Sequence, residues 1–388
     1  MSNRKKIAAV VTTYFPHSHA DVIVTKFMKG FPTDDGLIKP RVELASIYLD
    51  QIHENDIGQG LAVEHNVPIY QSIRQALTLG GKELSVDGVL LIGEHGDYPH
   101  NEKGQQMYPR RYFFEQICGV FASSGRSVPV FCDKHLSYNW ADAEWMYNRA
   151  RELSVPLMAG SSLPTCWRQP FLEYDLDTEL KDAIGIGYGG IESYGFHALE
   201  TLQCMVERRK GGEVGVASVQ CLEGEDVWKA ADAGIWSRQL AETARAPMEK
   251  KPDGSMEEHC KNPTAFLIEY RDGFKATVLM LNGYANGFAF AGRVGDEIQG
   301  TAFNLQDGEP FAHFSYLSLN IEEMFVTGTP QYPAERTLLT TGIIDAVMNS
   351  KYQGYKRIPT SYMDVTYRSY EKAPIRPVEP RPKVALES

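Results

Sequence analysis

Short apolar segments alternate with helical patterns through the first 165 residues, and this alternation constrains the fold more than any other feature of the sequence. The strand-like segments are Lys6–Val11, Arg41–Asp50, Val67–Tyr70, Val86–Ile92, Val128–Phe131 and Val155–Gly160. The helical patterns between them are His19–Gly30, Ile57–His65, Ser72–Leu79, Arg110–Ser123 and Ala141–Leu153. Strands that alternate with helices at this spacing form a parallel sheet with helices on both faces. The sequence therefore predicts an α/β fold with a doubly wound parallel sheet.

Ionisable side chains follow two of these strands at the point where each strand ends. Val128–Phe131 leads into Asp133, Lys134 and His135, and Val86–Ile92 leads into Gly93-Glu94-His95-Gly96-Asp97. In doubly wound sheets, ligands bind outside the carboxyl ends of the strands. A solvated turn explains an isolated Asp-Lys-His equally well, but polar groups at several strand ends favour a functional site.

The second half of the chain has a different pattern. Its strand-like segments are Ala183–Gly187, Val214–Gln220, Ala265–Arg271, Phe274–Leu281, Phe288–Val294 and Glu297–Asn304. Asp272-Gly273 and Gly295-Asp296 are hairpin signals between consecutive strands. Helical patterns cover Gly195–Glu207 and Ala334–Ser350. We expect an α+β domain with a mostly antiparallel open sheet, and an oligomer formed through that sheet, because a broad apolar face usually finds a cover.

These patterns divide the chain into three parts. We predict a first domain over 1–165, a substrate and oligomerisation domain over 166–350, and an extension over 351–388, loosely ordered from about Lys372 because proline and charge dominate there.

Composition excludes several classes of function. The formal net charge of −11, without a basic stripe, argues against binding to nucleic acid or to anionic membranes. The six cysteines show no C-x-x-C spacing, which is typical of reduced cysteines in a cytoplasmic protein. We find no signal peptide and no apolar run that approaches the roughly 18 residues of a membrane span.

Four stretches, in this order along the chain, resemble the glucose–fructose oxidoreductase/inositol dehydrogenase family (Gfo/Idh/MocA). They are Val86–Ile92, Gly125–Leu136, Gly189–Glu200 and the closing helix and turn Ala334–Gly354. In the second, Cys132-Asp-Lys-His-Leu136 is similar to the family's Cys-Glu-Lys-Pro-Leu. The resemblance implies a Rossmann-like domain and an oxidoreductase that uses NAD or NADP on a sugar, cyclitol or glycoside. It also admits a glycosidase that uses tightly held NAD.

The resemblance also implies roles for individual residues. Lys134 matches the family's catalytic lysine, and His197 matches the histidine that shuttles the hydroxyl proton; Asp133 stands beside Lys134. Glu200 matches the acid that follows the histidine, and Ser193 stands where an acid is usual. Histidine chemistry fits this role, because oxidation of an alcohol needs a base with a pKa near neutrality.

The expected cofactor contacts lie at three strand ends. They are Thr12, Thr13 and Tyr14 in the first turn, Asp50 for a ribose hydroxyl, and Glu94 and His95 in the nicotinamide-side loop. A dinucleotide-binding turn needs glycines, but Val11–Ala20 contains none, and we expect Tyr14 to crowd the phosphates. For the substrate we predict contacts with His135, Ser193, Trp167 and Tyr98.

The glycine-free turn leaves an alternative open. In it, the enzyme lacks a dinucleotide and acts as a lyase, hydrolase or isomerase on a carbohydrate, with a divalent metal held by His17, His19, His95 and His135. His100, Arg110 and Arg111 are a further candidate group, for gripping an anionic part of the substrate. A non-enzymatic sensor is a third reading, which the dense ionisable groups disfavour.

Overall fold

The structure is a computed structural model that describes residues 4–249, 252–306 and 308–378. In chain order the strands are β1 (Lys6–Val11), β2 (Phe31–Thr33), β3 (Gly36–Ile38), β4 (Glu43–Leu49), β5 (Ile69–Tyr70), β6 (Gly88–Ile92), β7 (Val130–Asp133), β8 (Leu157–Gly160), β9 (Trp167–Gln169), β10 (Leu180–Gly187), β11 (Glu213–Val214), β12 (Val216–Glu223), β13 (Thr264–Tyr270), β14 (Lys275–Met280), β15 (Phe288–Val294), β16 (Glu297–Asn304), β17 (Ile358–Pro359) and β18 (Thr366–Tyr367). The helices are α1 (His19–Lys29), α2 (Gly58–Glu64), α3 (Ile73–Thr78), α4 (Arg110–Ser124), α5 (Trp140–Glu152), α6 (Ser193–Val206), α7 (Glu225–Asp232), α8 (Arg238–Arg245), α9 (Met256–His259), α10 (Ala312–Thr327) and α11 (Ala334–Tyr352).

The first half forms a six-stranded parallel sheet in the order β5-β4-β1-β6-β7-β8. This is the doubly wound order, and the strand order reverses between β1 and β6. Residues Ile7–Val11 are completely buried, which explains the continuous apolar run of a strand covered on both faces. The predicted Rossmann-like fold class is confirmed.

The second half forms an eight-stranded sheet in the order β17-β12-β13-β14-β10-β15-β16-β9. Its neighbouring strands are antiparallel except for β10 and β14. The hairpins predicted at Asp272-Gly273 and Gly295-Asp296 join β13 to β14 and β15 to β16. Helices α6 and α11 pack on one face, and they share a core with the helices of the first sheet. The prediction of a mostly antiparallel sheet is therefore confirmed.

Three short helices that the sequence patterns did not predict cover much of the other face of this sheet. Trp228 of α7, Leu240 of α8 and Met256 of α9 pack in one cluster with Ile186 of β10 and Ala289 of β15. The apolar face that led us to expect an oligomer is thus covered by the chain itself where these helices lie. The apolar face therefore no longer supports the predicted oligomer, which stays a prediction.

Helix α10 belongs to the second half of the chain but packs on the first sheet. Leu317, Ile321 and Phe325 lie in the same core as Ile7 and Ala9 of β1. The predicted boundary at residue 165 therefore separates the two sheets, but not every element that packs on them.

The chain beyond α11 is tied to the body of the protein through residue 378. Asn320 of α10 exchanges two hydrogen bonds with the backbone of Ile375. The nearly buried Arg376 pairs with Glu173 at 2.7 Å. The expectation of a loosely ordered tail from Lys372 is wrong for this part, because specific polar contacts hold it. Residues 379–388 lie outside the described residues. No helix in the described part of the chain is both long and apolar enough to cross a membrane.

The packing of α10 gives a test of the fold. A Cβ atom on Gly88 would lie 2.6 Å from the ring of Phe325, so Gly88→Ala should push α10 off β6. We expect a loss of about 1–3 kcal/mol in the free energy of unfolding, measured with urea. Gly60→Ala in α2 meets no atom within 4 Å and is the control, because alanine there should be neutral or slightly stabilising. Equal stability of the two variants would contradict this packing.

Candidate active site

A buried ion cluster lies where β6 and β7 end. Glu94 follows β6, and its Oε1 atom lies 2.9 Å from Nζ of Lys134, which follows β7. Its Oε2 atom accepts a hydrogen bond from Nη2 of Arg110, the first residue of α4. Burial alone would raise the pKa of Glu94, but the cations of Lys134 and Arg110 hold it well below its usual range. All three side chains are almost inaccessible to solvent.

The backbone at Lys134 explains how its side chain reaches Glu94. Its φ of 60° is left-handed, and its N–H donates to the carbonyl of Gly160 at 3.1 Å. A non-glycine residue adopts this conformation at a cost, which is common at functional sites. Lys134 is thus buried and paired.

His197 lies in the second turn of α6 and is partly exposed. Its Nδ1 atom is buried and has no hydrogen-bond partner in the part of the chain that the structure describes. Burial, with a further contribution from the cation of Lys134, holds the pKa of His197 well below its usual range. At neutral pH the ring is therefore uncharged.

His135 and Glu192 lie between the end of β7 and the start of α6. Nε2 of His135 lies 3.3 Å from Nη1 of Arg110 and 3.9 Å from Oε1 of Glu192. Burial and the Arg110 cation lower the pKa of His135, while burial raises the pKa of Glu192. The sequence analysis did not single out Glu192, because it matched Ser193 to the acid in the motif of the Gfo/Idh/MocA family. The acidic side chain is one residue earlier, at Glu192.

A second histidine–carboxylate pair lies beside this cluster. Nδ1 of His19, the first residue of α1, is 2.6 Å from Oδ2 of Asp133, whose side chain is completely buried. The other oxygen of Asp133 has no partner among the described residues. A carboxylate on Nδ1 fixes the tautomer that leaves Nε2 as an acceptor. The sequence suggested both residues but not their pairing.

Glu200 lies one turn beyond His197 but does not join the cluster. Its carboxylate accepts hydrogen bonds from Oγ1 of Thr340 and the N–H of Ser161. Burial raises the pKa of Glu200 to about 7. This acid therefore ties α6 to α11 and to the loop after β8.

In the first turn, most of the side chains that we predicted to contact the cofactor bind other residues of the protein instead. The Thr12 hydroxyl donates to the carbonyl of Glu94 at 2.7 Å. The Tyr14 ring is completely buried and its hydroxyl bonds Thr25, so the prediction that Tyr14 crowds the phosphates is wrong. The side chain turns inward because Gly58 leaves room for it. Thr13 alone keeps a buried hydroxyl without a partner in the described residues.

Phe15 closes the crevice instead of Tyr14. Its ring centroid lies 4.4 Å from that of His53, which follows β4, and 5.4 Å from that of His95, which follows β6. The ring thus bridges the strand ends on both sides of β1. Burial lowers the pKa of His95 to about 4, so this imidazole is neutral.

At the start of α1, too, side chains of the protein bind backbone N–H groups. Ser18 Oγ accepts from the N–H groups of Phe15 and Asp21, and the Asp21 carboxylate accepts from the N–H of His17. A pyrophosphate normally binds free N–H groups at this helix end. Here part of that donor set is already used, and an acidic side chain stands in the first turn of the helix.

Asp50 stands at the end of β4, as predicted for a ribose contact, but tyrosine hydroxyls already bind it. Tyr48 donates to its Oδ1 and Tyr98 to its Oδ2, each at 2.7 Å. Gln51 holds the backbone of Asp97 through two hydrogen bonds, which keeps the loop over this position. Tyr98 therefore lies beside Asp50, and its hydroxyl would have to release the carboxylate before a ribose could bind.

The four histidines proposed as metal ligands do not converge. His17 is exposed and lies 3.4 Å from Glu309, His19 pairs with Asp133, and His135 packs against Arg110. No three His, Cys, Asp or Glu side chains in residues 4–249, 252–306 and 308–378 are arranged to hold a metal ion. The structure does not support the metal alternative.

Two other predicted contacts are corrected. Trp167 is buried in β9 and presents no surface for stacking on a sugar. His100, Arg110 and Arg111 do not form an anion grip, because neighbouring helical residues point in different directions. Arg110 is buried against Glu94, Arg111 pairs with Glu115 and lies over Trp145, and His100 is exposed.

Comparisons with known proteins show the fold. No protein-family model matches the chain, and no curated sequence does. Among solved structures, GenD2 from gentamicin A biosynthesis, in complex with NAD, is 15% identical, with a TM-score of 0.58 over 93% of this chain and 97% of that chain. Scyllo-inositol dehydrogenase from Lactobacillus casei with bound NAD(H) and scyllo-inositol is 11% identical, with a TM-score of 0.55 over 92% and 99%. The chain has the same fold as these two proteins.

Glu200 provides a test of the site's electrostatics. Its folded pKa of about 7 lies above the ordinary 4.5, so the native state binds more protons than the unfolded state between these values and stability falls as pH rises through them. Glu200→Gln removes this effect. We expect the unfolding free energy of the variant to increase relative to that of wild type as pH rises from about 4.5 to above 7.

Glu207→Gln, at the residue that directly follows α6, is the matched control. Glu207 binds the fully buried Arg336 through two hydrogen bonds, so its neutralisation should destabilise the protein over the same pH range. Chemical denaturation at several pH values distinguishes the two variants. A pH-independent difference between Glu200→Gln and wild type would refute the raised pKa.

Proposed function

We propose that this protein is a nicotinamide-dinucleotide-dependent oxidoreductase of the Gfo/Idh/MocA type that acts on a hydroxyl group of a sugar, cyclitol or glycoside. One observation above all supports the proposal: the buried Lys134–Glu94 pair stands at the strand ends, and the Lys134 cation acts on His197, whose ring is neutral and whose buried Nδ1 atom has no partner among the described residues. Oxidation of an alcohol requires a cation near the developing alkoxide and a neutral base for its proton. Solved structures of the same fold contain NAD or NAD(H).

In this proposal each side chain has a separate role. His197 accepts the hydroxyl proton, and Lys134 stabilises negative charge on the substrate oxygen while Glu94 fixes the position of its Nζ atom. His135 and Glu192 line the part of the site in which the substrate would bind. A bound dinucleotide would supply the hydride acceptor.

The residues fit the reactive end of a dinucleotide better than the adenosine end. Lys134 is the candidate contact at the reactive end, and the Thr13 hydroxyl in the first turn is the candidate contact for the pyrophosphate. At the adenosine end Asp50 is the one candidate, and Phe15 stands between the strand ends. We therefore expect a dinucleotide to bind only with rearrangement of Phe15 and Tyr98, or to be retained from folding onward.

The closed first turn favours one second candidate. It is a dinucleotide-independent lyase, hydrolase or isomerase that moves protons between His197 and the His19–Asp133 pair. A glycosidase that uses retained NAD differs from the first candidate only after the oxidation step. We also propose a cytoplasmic location, because the six cysteines of the sequence show no C-x-x-C spacing, which is typical of reduced cysteines.

The test combines cofactor analysis with a variant. Native mass spectrometry of the purified protein should show NAD or NADP in stoichiometric amount, and sugar- or cyclitol-dependent reduction should be detected by nicotinamide absorbance. His197→Asn should lower turnover by about two to four orders of magnitude and leave dinucleotide content unchanged, because the side chain acts on the proton alone. His65→Asn, at the partly exposed residue that directly follows α2, is the control and should match wild type.

Two outcomes would contradict the proposal. Full turnover by His197→Asn would remove that residue from the mechanism. Absence of dinucleotide from the purified protein, together with no calorimetric heat on addition of NAD, NADH, NADP or NADPH, would transfer the proposal to the second candidate.

A further inference from the structure

An aromatic wall, formed by Tyr188, Tyr194 and Phe288, extends from His197 toward solvent. Ring centroids of Tyr188 and Tyr194 lie 5.2 Å apart, and those of Tyr188 and Phe288 lie 5.4 Å apart. Tyr194 is stacked parallel to Phe288 at 6.4 Å, and its centroid lies 6.0 Å from that of His197. Phe288 is buried, whereas Tyr194 is 39% exposed. A partly exposed aromatic ring therefore lies within one helical turn of the proposed base.

The local backbone holds the Tyr194 ring in place. Gly189 has a left-handed φ of 85°, and a Cβ atom there would lie 2.5 Å from Cγ of Tyr194. Asn282 fixes this glycine from the opposite side. Its Oδ1 accepts from the Gly189 N–H at 2.6 Å, and its Nδ2 donates to the Gly189 carbonyl at 3.2 Å. The ring is thus supported on one side by Gly189 and its aromatic neighbours.

We propose that Tyr194 is a stacking platform that selects a six-membered polyhydroxylated ring, a pyranoside or a cyclitol, by its apolar C–H face. The inference rests on the proposed function, and it identifies the substrate as a ring rather than an acyclic polyol. An equatorial hydroxyl at the ring edge can approach His197 while axial C–H bonds contact the tyrosine. An acyclic polyol with the same number of hydroxyls has no such rigid face.

Direct binding tests the platform without turnover. The full-length protein, as purified, is titrated by calorimetry with scyllo-inositol, methyl β-D-glucopyranoside and the acyclic polyol D-glucitol. Tyr194→Ala should weaken binding of both ring compounds by about ten-fold or more, and Tyr194→Phe should retain it, because the aromatic face is what binds. Binding of D-glucitol should be weak and the same in all variants.

Two further variants separate the platform from general damage. Gly189→Ala should displace the ring and weaken ring binding as Tyr194→Ala does. Tyr112→Ala removes a tyrosine that is 60% exposed on α4 and should bind like wild type. Melting temperatures confirm that each variant is folded.

The platform is overturned if Tyr194→Ala binds the ring compounds as tightly as wild type, if D-glucitol loses affinity equally, or if neither ring compound binds wild type. These results are independent of the redox proposal. Tyr194-dependent ring binding in a protein that neither contains a dinucleotide after purification nor binds an added one would keep the platform and refute the oxidoreductase. Dinucleotide-dependent turnover of a ring substrate with an unchanged KM in Tyr194→Ala would do the reverse.

Discussion

The ion cluster of Glu94, Lys134 and Arg110 is the interaction on which the site depends. Two cations share one carboxylate in a space that solvent barely reaches, so removing the carboxylate would leave two buried positive charges uncompensated. The left-handed backbone at Lys134 is sustained by this pairing and by the bond to Gly160. The cluster joins the ends of β6 and β7 to the start of α4 and sets the electrostatic environment of the histidines around it.

Those histidines are neutral for a common reason. Burial removes the solvation that an imidazolium needs, and the cations of Lys134 and Arg110 add repulsion, so the pKa values of His135 and His197 fall well below the usual range. At neutral pH these two rings are therefore unprotonated. The same neutrality makes the fold sensitive to acid, because these groups bind protons more readily once unfolded.

The sequence was most informative where one pattern decided the structure. The buried runs and the hairpin signals at Asp272-Gly273 and Gly295-Asp296 predicted the two sheets. It also indicated that Lys134, Glu94 and His197 belong near one edge. It missed α10, whose place is decided by contacts with a distant sheet, and it placed Tyr14 in the cofactor path because no pattern shows that Gly58 accommodates its ring. The pairing of His19 with Asp133 and the position of Glu192 depend on how α1 and α6 meet β7, which spacing along the sequence does not reveal.

The account holds that His197 is neutral because the Lys134 cation and burial suppress its protonation. The direct measurement is an NMR titration of the His197 imidazole in the full-length protein, with the signal assigned by comparison with His197→Asn. We predict a pKa well below the ordinary 6.5 of histidine. In Lys134→Met the pKa should rise, because the nearest positive charge is removed. A His197 that titrates at or above the ordinary value, or that does not respond to Lys134→Met, would contradict the account.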